Sequence, residues 1–386
     1  MARFAKRVTS IESSPTVRLG NLVAEMRARG ETILSLSVGE PDFPTPSHIV
    51  EAAKKALDDG FTKYTPSLGI PELRQAIAEA SVKENGIPAK PENVLVSPTK
   101  HTLFLACMAL LDSGDEAILP DPGWVSYDPM VRLAGARPVP VRAADEEGFV
   151  LTPEAVSEAI TPRTRVILLN SPSNPAGSVM PRAAVEGIAD LARDHDLVVV
   201  SDEIYEKILY DGEHVSIASL PGMFDRTVTV NGFSKTYSMT GWRLGWLVAP
   251  SPILKEVAKV QEHTVTCATS FAQKAGVAAL RGPRAPVDAM VKEFRARRDL
   301  IVSELLKSDV LECSLPGGAF YVFPRFDVDL SSAKLSELLL EKAKVAVTPG
   351  SAFGSAGEGH QRLSYAASRE TILEGVRRIR EVVEDL

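Results

Sequence analysis

The stretch Leu197 to Tyr205 reads "LVVVSDEIY" and joins an apolar run to acidic and aromatic residues. Consecutive valines favour a buried β-strand, because branched side chains pack well on a pleated surface. Asp202 closes the run, where a carboxylate needs a partner or a purpose. It can pair with a protonated ring nitrogen, while Tyr205 gives a hydroxyl to the same ring, or it can cap the following turn. The stretch therefore predicts a strand that ends at a polar position.

The same arrangement recurs through the middle of the chain, where strand-like runs alternate with helical patterns such as 101–111 and 183–194. This alternation predicts an α/β layered fold. The predicted strands are 93–97, 116–120, 165–170, 197–201, 227–231 and 245–248. Polar loops follow several of them, namely "DPGW" at 121–124, "NSPSNPAG" at 170–177, "DEIY" at 202–205 and "GFSK" at 232–235. Because ligands bind beyond the carboxyl ends of parallel strands, we expect these loops to meet at one pocket.

The ends of the chain have a different pattern. A long charged helix, "VKEFRARRDLIVSELLKS" at 291–308, is followed by glycine-rich turns and short strands. The first forty-odd residues hold a helix over 17–29 and the strand "TILSLSV" at 32–38, too little to bury a core alone. We therefore predict a large domain over 47–286 and a smaller α+β domain in which 1–46 joins 287–386.

Composition limits the partners. The 386 residues carry a net charge of −7 with a pI near 5.6, which disfavours binding to nucleic acid or an anionic membrane. The longest apolar run, 103–111, is shorter than the roughly 20 residues of a membrane helix. Three scattered cysteines and six scattered histidines, with no H-E-x-x-H, give no support for a metal site. We expect a soluble, cytoplasmic protein that acts on small metabolites.

The segment "NGFSKTYSMTGWRLG", 231–245, places Lys235 after an apolar strand and Arg243 eight positions further on. A lysine becomes a nucleophile for imine chemistry when burial or a cationic neighbour lowers its pKa. The fork of donors on Arg243 suits a phosphate, and Ser234 adds a hydroxyl. Taken singly, Lys235 could be a solvated loop lysine and Arg243 a salt-bridge arginine. Together they predict a site for a phosphate-bearing aldehyde.

Other candidates have equally ordinary alternatives. Asn170 and Asn174 can present amides or simply form a turn. Trp124 can stack on an aromatic ring or pack in the core. Arg362, in "RLSYA", can bind a carboxylate through two parallel hydrogen bonds or form a surface ion pair.

Together these residues closely resemble the class I and II aminotransferases, the fold type I enzymes that use pyridoxal 5′-phosphate (PLP). The resemblance runs through "LSVGEPDFPTP", "KYTPSLGIPELRQAIA", "NSPSNPAG", "SDEIY", "SKTYSMTGWRLG" and "RLSYA" in the family's order. The branch that includes bacterial and archaeal aspartate aminotransferases is the most similar. The resemblance implies a large domain with a mainly parallel sheet flanked by helices, plus a smaller α+β domain.

The resemblance also implies roles around the cofactor ring. Lys235 would bind PLP covalently as an imine and later move the proton between the substrate α-carbon and the cofactor C4′. Asp202 would keep the ring nitrogen protonated, which strengthens the ring as an electron sink. Tyr205 and Asn174 would contact the phenolic oxygen. Trp124 would stack on the ring.

A second group would hold the phosphate. The resemblance implies that Arg243 and Ser234 bind it together with backbone donors at Thr99 and Lys100, at the start of a helix. Tyr64, in "KYTP", resembles the tyrosine that reaches the phosphate from a partner subunit. A homodimer with shared active sites is therefore expected.

The substrate α-carboxylate would bind Arg362, helped by Asn174 and the backbone at Gly39. Two positions depart from the family pattern. Thr99 stands where relatives often have glycine or another small residue, and Gly232 stands where many have a phosphate-binding serine. These departures leave part of the phosphate contact unassigned.

The resulting expectation is an aminotransferase with two half-reactions, in which an L-amino acid converts PLP to pyridoxamine phosphate and a 2-oxo acid reverses the change. Aspartate and 2-oxoglutarate are the expected substrates, and Arg18, Lys100 or partner-chain residues could bind the side-chain carboxylate. Aromatic amino acids or alanine are alternative donors. A carbon–sulfur β-lyase and a non-catalytic PLP-binding regulator are further alternatives.

Overall fold

The structure is a computed structural model, and it describes residues 3–386. Its α-helices are α1 (Lys6–Thr9), α2 (Pro15–Ala28), α3 (Ser47–Asp58), α4 (Pro71–Asn85), α5 (Thr99–Leu110), α6 (Tyr127–Leu133), α7 (Pro153–Ala159), α8 (Arg182–Asp194), α9 (Ser251–Glu262), α10 (Ser270–Arg281), α11 (Ala285–Leu305), α12 (Ser332–Leu338) and α13 (Arg369–Val383). Its strands are β1 (Leu34–Ser35), β2 (Val94–Val96), β3 (Glu116–Asp121), β4 (Arg137–Arg142), β5 (Thr164–Asn170), β6 (Val198–Asp202), β7 (Thr227–Gly232), β8 (Gly245–Val248), β9 (Leu311–Glu312), β10 (Tyr321–Val322), β11 (Arg325–Phe326), β12 (Val345–Ala346), β13 (Thr348–Pro349) and β14 (Gln361–Ser364).

The central sheet has seven strands in the order β2-β8-β7-β6-β5-β3-β4. Strands β4, β3, β5, β6 and β7 run parallel, whereas β8 is antiparallel to both of its neighbours. The six strands predicted from the sequence are all present, within one or two residues at their ends. The α/β fold with a mainly parallel sheet is therefore confirmed.

Both faces of the sheet are covered, because successive side chains of a strand point to opposite sides. Leu168 and Val200 pack with the helices α5, α6 and α9, whereas Ile167 and Val199 pack with α7 and α8. Burying each such side chain contributes about 1.5–3 kcal/mol. This double burial explains why the strands read as continuous apolar runs rather than as alternating patterns.

Strand β4 was missed in the sequence. Its residues, "RPVPVR", include Pro138 and Pro140, which lack a backbone N–H and argue against a central strand. The strand lies at the edge of the sheet and pairs only with β3 in the described part of the chain, so prolines can be accommodated on its open side.

A second hydrophobic core lies away from the sheet. Helix α11 packs against α13, and their buried residues join Leu36, Tyr205 and the strand β10 in one cluster. Strand β1 runs parallel to β12, so the N-terminal segment docks on the C-terminal part as expected. We propose the division into 47–286 and 1–46 with 287–386 on this basis, although α11 begins two residues before the predicted boundary.

No helix between residues 3 and 386 has the length and apolar character that crossing a membrane requires.

Candidate active site

A cavity of about 420 Å³ lies at the carboxyl ends of β3, β5, β6 and β7. Its size suits a cofactor or small substrate. The loops that follow these strands meet there, as the sequence predicted. The lining residues are Thr16, Val17, Gly20, Ser37, Val38, Gly39, Glu40, Thr99, Lys100, Leu103, Trp124, Tyr127, Asn170, Asn174, Asp202, Ile204, Tyr205, Ser234, Lys235, Thr240, Arg243, Tyr321 and Arg362.

Lys235 reaches the cavity from the loop after β7. Its amine donates a hydrogen bond to the Gly39 carbonyl oxygen at 2.6 Å. Burial lowers the Lys235 pKa to about 8; Arg362 and Arg243 act in the same direction, while nearby carboxylates oppose them. An amine with this pKa is about one tenth neutral at pH 7, far more than an ordinary lysine, and nucleophilic attack requires the neutral form.

Asp202 is the last residue of β6 and is only 4% exposed. Its Oδ2 accepts a hydrogen bond from the Tyr127 hydroxyl at 2.8 Å, and its Oδ1 accepts one from the Ile204 N–H at 3.3 Å. Burial raises the Asp202 pKa to about 6 against these two hydrogen bonds. The two hydrogen bonds hold the carboxylate in place. Lys235 also lowers its pKa, but no lysine or arginine nitrogen of residues 3–386 lies within 4.0 Å of it, so it can pair with a protonated ring nitrogen.

Tyr127 is a site residue that the sequence analysis missed. It begins α6, three residues after Trp124, and its ring lies 5.3 Å from the Trp124 ring, centroid to centroid, in an edge-on contact. Its proximity to Trp124 in the sequence was an available signal. The contact with Asp202 was not, because 75 residues separate the two.

Arg362 lies on β14 and is 3% exposed. Its Nη1 donates to Asn174 Oδ1 at 3.0 Å, and its Nη2 donates to the Ser37 carbonyl at 2.7 Å. The guanidinium carbon lies 4.5 Å from the centroid of the Tyr321 ring. Because Arg362 is buried, it does not form a surface ion pair, and no carboxylate of residues 3–386 lies within 4.0 Å of it. A buried cation of this kind needs an anion from elsewhere.

The opposite end of the cavity is formed by the first turn of α5 and the loop that contains Ser234 and Arg243. Arg243 donates to the Thr240 carbonyl at 2.7 Å and has a positive φ of 53°, a conformation that is uncommon for a bulky residue. The Lys100 ammonium lies 4.8 Å from the centroid of the Trp124 ring. Burial lowers the Lys100 pKa, and Arg243 adds to the effect. This end is therefore rich in donors suited to a phosphate.

Tyr205 lines the cavity, but its hydroxyl also forms a 2.9 Å hydrogen bond with the Tyr321 hydroxyl. Tyr321 is a second residue that the sequence analysis missed; it lies in "GGAFYVF", 116 residues away. Tyr64 is 88% exposed and does not line the cavity of its own chain. Its contact with a partner subunit stays a prediction.

The cavity fits PLP on the chemistry of its side chains. It presents an amine with a depressed pKa, a buried carboxylate, and two arginines whose hydrogen bonds go to neutral groups. These groups match an aldehyde, a ring nitrogen, a phosphate and a substrate carboxylate. Arg362 Nε is buried without a hydrogen-bond partner, as expected of a group that awaits an anionic ligand.

Comparison with known proteins agrees with this geometry. Residues 31–379 match the family described as "Aminotransferase class I and II". The chain is 46% identical to an aspartate aminotransferase from Pyrococcus abyssi, over 99% of this chain and 98% of that one. It is 45% identical to aromatic-amino-acid aminotransferase 2 from Thermococcus litoralis, over 92% of each. The structure superposes on aspartate aminotransferase from Thermus thermophilus with maleate at a TM-score of 0.96 and 43% identity, covering 99% of this chain and 100% of that one.

The chain therefore belongs to the class I and II aminotransferases. Members of this family are PLP-dependent transaminases, so the cofactor and the type of reaction predicted from the sequence are confirmed.

Proposed function

We propose that the chain transfers the amino group of L-aspartate to 2-oxoglutarate, as a cytoplasmic homodimer. The observation that supports this most directly is a cavity with cationic groups at separate positions: Arg362 on one side, and Arg243 with Lys100 on the other. The phosphate and the α-carboxylate of any amino acid take Arg243 and Arg362, so a dicarboxylic substrate needs a third cation, and Lys100 is available in the cavity lining. The aspartate aminotransferases from Pyrococcus abyssi and Thermus thermophilus agree with this choice of substrate.

Each proposed role follows from the position of a side chain. When bound, PLP supplies an electron sink for the carbon from which the proton is removed. Asp202 holds the proton on the ring nitrogen, and Tyr205 donates to the phenolic oxygen. Lys235 would anchor the cofactor, and its amine, once free, would move a proton between the substrate α-carbon and the cofactor C4′. Trp124 forms one wall against the ring.

The phosphate is assigned to Ser234, Arg243 and the first backbone N–H groups of α5, at Thr99 and Lys100. Helix geometry leaves these N–H groups without intrahelical partners, and the helix dipole favours an anion there. The substrate α-carboxylate is assigned to Arg362, which Asn174 orients through its 3.0 Å hydrogen bond. Gly39 contributes backbone close to this carboxylate.

Lys100 is the best candidate in this chain for the side-chain carboxylate. It lines the cavity, whereas Arg18 does not. Desolvation and the nearby Arg243 lower the pKa of the Lys100 ammonium, so an anionic partner would stabilise its charged form. Aromatic amino acids are the second candidate donors, because the Thermococcus litoralis relative is an aromatic-amino-acid aminotransferase.

Single half-reactions test the proposal. Aspartate added to the PLP-loaded protein without an oxo acid is expected to convert the absorption of PLP to that of pyridoxamine phosphate, with stoichiometric oxaloacetate. 2-Oxoglutarate should then reverse the change. A higher kcat/KM for phenylalanine or alanine than for aspartate would overturn the choice of substrate. Release of pyruvate from cystathionine without an oxo acid would indicate a β-lyase instead.

The role of Lys100 is tested by Lys100→Met, which keeps an unbranched side chain without the charge. A hydrogen bond to a charged group contributes about 1.5–3 kcal/mol, so kcat/KM for aspartate should fall about tenfold to hundredfold. The value for alanine, which has no side-chain carboxylate, should change little. Lys259→Met, at an exposed ion pair on α9, is the matched control. Equal losses for aspartate and alanine would show that Lys100 does not bind the side chain.

A further inference from the structure

Two glycines enclose the side chain of Thr99 at the phosphate end of the cavity. Gly232 ends β7 and Gly245 begins β8, and the two are paired across the antiparallel ladder. A Cβ on Gly232 would lie 2.1 Å from Thr99 Oγ1, and a Cβ on Gly245 would lie 2.2 Å from the same atom. Neither glycine has a positive φ, so space rather than backbone conformation requires them. While Thr99 is present, both positions must lack a side chain.

Two hydrogen bonds, one of them from Thr99, also connect the start of α5 to these strands. The Thr99 hydroxyl donates to the Asn231 carbonyl at 3.3 Å, and the Ser97 N–H donates to the Gly245 carbonyl at 3.0 Å. The chain leaves β7 directly towards Ser234 of the proposed phosphate site. The contact of Thr99 with the two glycines therefore fixes the first turn of α5 relative to that loop.

We propose that Thr99 is a positioning residue for the cofactor phosphate, and that Thr99 and Gly232 are a coupled pair in which a side chain at one position excludes a side chain at the other. This inference rests on the phosphate site proposed above. A side chain at 232 would occupy the volume that Thr99 fills from the neighbouring helix. Glycine at 232 and threonine at 99 then depend on each other. The side chain that fills this volume of the phosphate site comes from α5 instead of from β7.

The shape of the Thr99 side chain explains why the pair should be strict. A threonine has two heavy atoms on Cβ and few allowed χ1 rotamers, so it cannot easily turn its hydroxyl away. In Thr99→Ala the close contact disappears. The nearest atom to a Cβ at 232 is then the Gly245 Cα at 3.0 Å, which a shift of a few tenths of an ångström can relieve.

A double-mutant cycle tests the coupling through dissociation constants of the apoprotein for PLP and for pyridoxal, which lacks the phosphate, measured by fluorescence quenching. Gly232→Ala is expected to weaken PLP binding at least tenfold, equivalent to about 1.4 kcal/mol, and to affect pyridoxal much less. In the Thr99→Ala background the same substitution should weaken PLP binding less than threefold. Additive effects would overturn the proposal.

Two further variants separate shape from hydrogen bonding. Thr99→Val puts a methyl group where Oγ1 lies, so it should keep the affinity for PLP and remain incompatible with Gly232→Ala. Thr99→Ala alone should weaken PLP binding several-fold. If Gly232→Ala fails to fold, the PLP affinities of Thr99→Val and Thr99→Ala still test the proposal. Equal affinities of these two variants would contradict a role for the volume that the Thr99 side chain fills.

Gly187→Ala is the matched control. It also creates a close contact, at 2.5 Å from Pro153, but on helix α8 away from the cavity. It should lower the melting temperature without changing the ratio of PLP to pyridoxal affinity, and Thr99→Ala should not rescue it. A wild-type protein that binds pyridoxal as tightly as PLP would refute the phosphate site itself and the inference with it. A preference for PLP combined with an additive cycle would refute the inference alone.

Discussion

The hydrogen bond from Tyr127 to Asp202 should set the pH range in which the apoprotein accepts PLP. Asp202 must be ionised to hold a protonated ring nitrogen, yet burial raises its pKa to about 6 even with the Tyr127 hydroxyl in place. Tyr127→Phe keeps the ring and removes only the hydroxyl. The variant therefore isolates one donor to a buried carboxylate.

The size of the effect follows from the strength of such a bond. A hydrogen bond to a charged group contributes about 1.5–3 kcal/mol, which corresponds to a tenfold to hundredfold weaker acid. At pH 7.5 Asp202 should be almost fully ionised in the wild-type protein. In Tyr127→Phe we expect the ionised fraction to fall to between about three quarters and one quarter.

The assay is the association constant of the apoprotein for 4′-deoxypyridoxine between pH 5.5 and 9. This ring has neither a phosphate whose ionisation would add to the profile nor an aldehyde that would react with the neutral amine of Lys235, whose pKa is about 8. The acidic limb of the profile should move upwards by about one to two pH units in Tyr127→Phe. Asp202→Asn should abolish that limb. Tyr365→Phe, which removes a buried hydroxyl directed at the Ala319 carbonyl, is the control and should leave it in place. An unshifted limb in Tyr127→Phe, with the limb lost in Asp202→Asn, would refute the reasoning.

Three further predictions concern the α-carboxylate, the dimer and a buried ion pair. Arg362→Lys cannot form two parallel hydrogen bonds, so kcat/KM should fall about tenfold to hundredfold for aspartate and alanine alike, with PLP affinity retained; a loss confined to aspartate would contradict the assignment. If Tyr64 acts in the partner's site, hybrids of Lys235→Ala with Tyr64→Ala protomers should regain one native site per dimer, whereas either parent alone should not; no regain in kcat/KM would contradict sharing. Burial lowers the pKa of His214 and raises that of Glu203, but their contact at 3.1 Å outweighs burial, so the His214 pKa is raised and the Glu203 pKa lowered. The stability that His214 contributes is then lost as pH rises through its folded pKa, and the stability that Glu203 contributes is lost as pH falls through the folded pKa of Glu203. In Glu203→Gln the melting temperature should therefore fall less steeply above about pH 6.5. A melting-temperature profile equal to that of the wild type would contradict the coupling.

The sheet could be predicted because each inner strand is buried on two faces and therefore reads as an apolar run. Strand β4 could not, since Pro138 and Pro140 are acceptable only at an edge, and the sequence does not show which strand is at the edge. The helical pattern over 101–111 placed the start of α5 two residues late, whereas the family resemblance put the start of a helix at Thr99 and Lys100, where α5 begins.

Residues that line the cavity were predictable where a side chain stands in a local motif on a strand or shortly after its end. Asp202, Lys235 and Arg362 belong to this group. Tyr127 and Tyr321 do not, because each is defined by a hydrogen bond to a segment far away in the sequence. Long-range contacts of this kind depend on how the strands and the C-terminal residues come together, which local patterns do not encode.

Thr99 and Gly232 are a second case in which a long-range contact cannot be read from the local sequence. Each is visible in the sequence as a separate departure from the family pattern, and each alone suggests a weakened phosphate site. A Cβ on Gly232 would lie 2.1 Å from Thr99 Oγ1, so the two positions depend on each other: Thr99 fills the volume that a side chain at 232 would occupy. A missing side chain in one segment therefore does not imply a missing contact until the segment packed against it is known. The affinity for phosphate should depend on the pair and not on either residue alone.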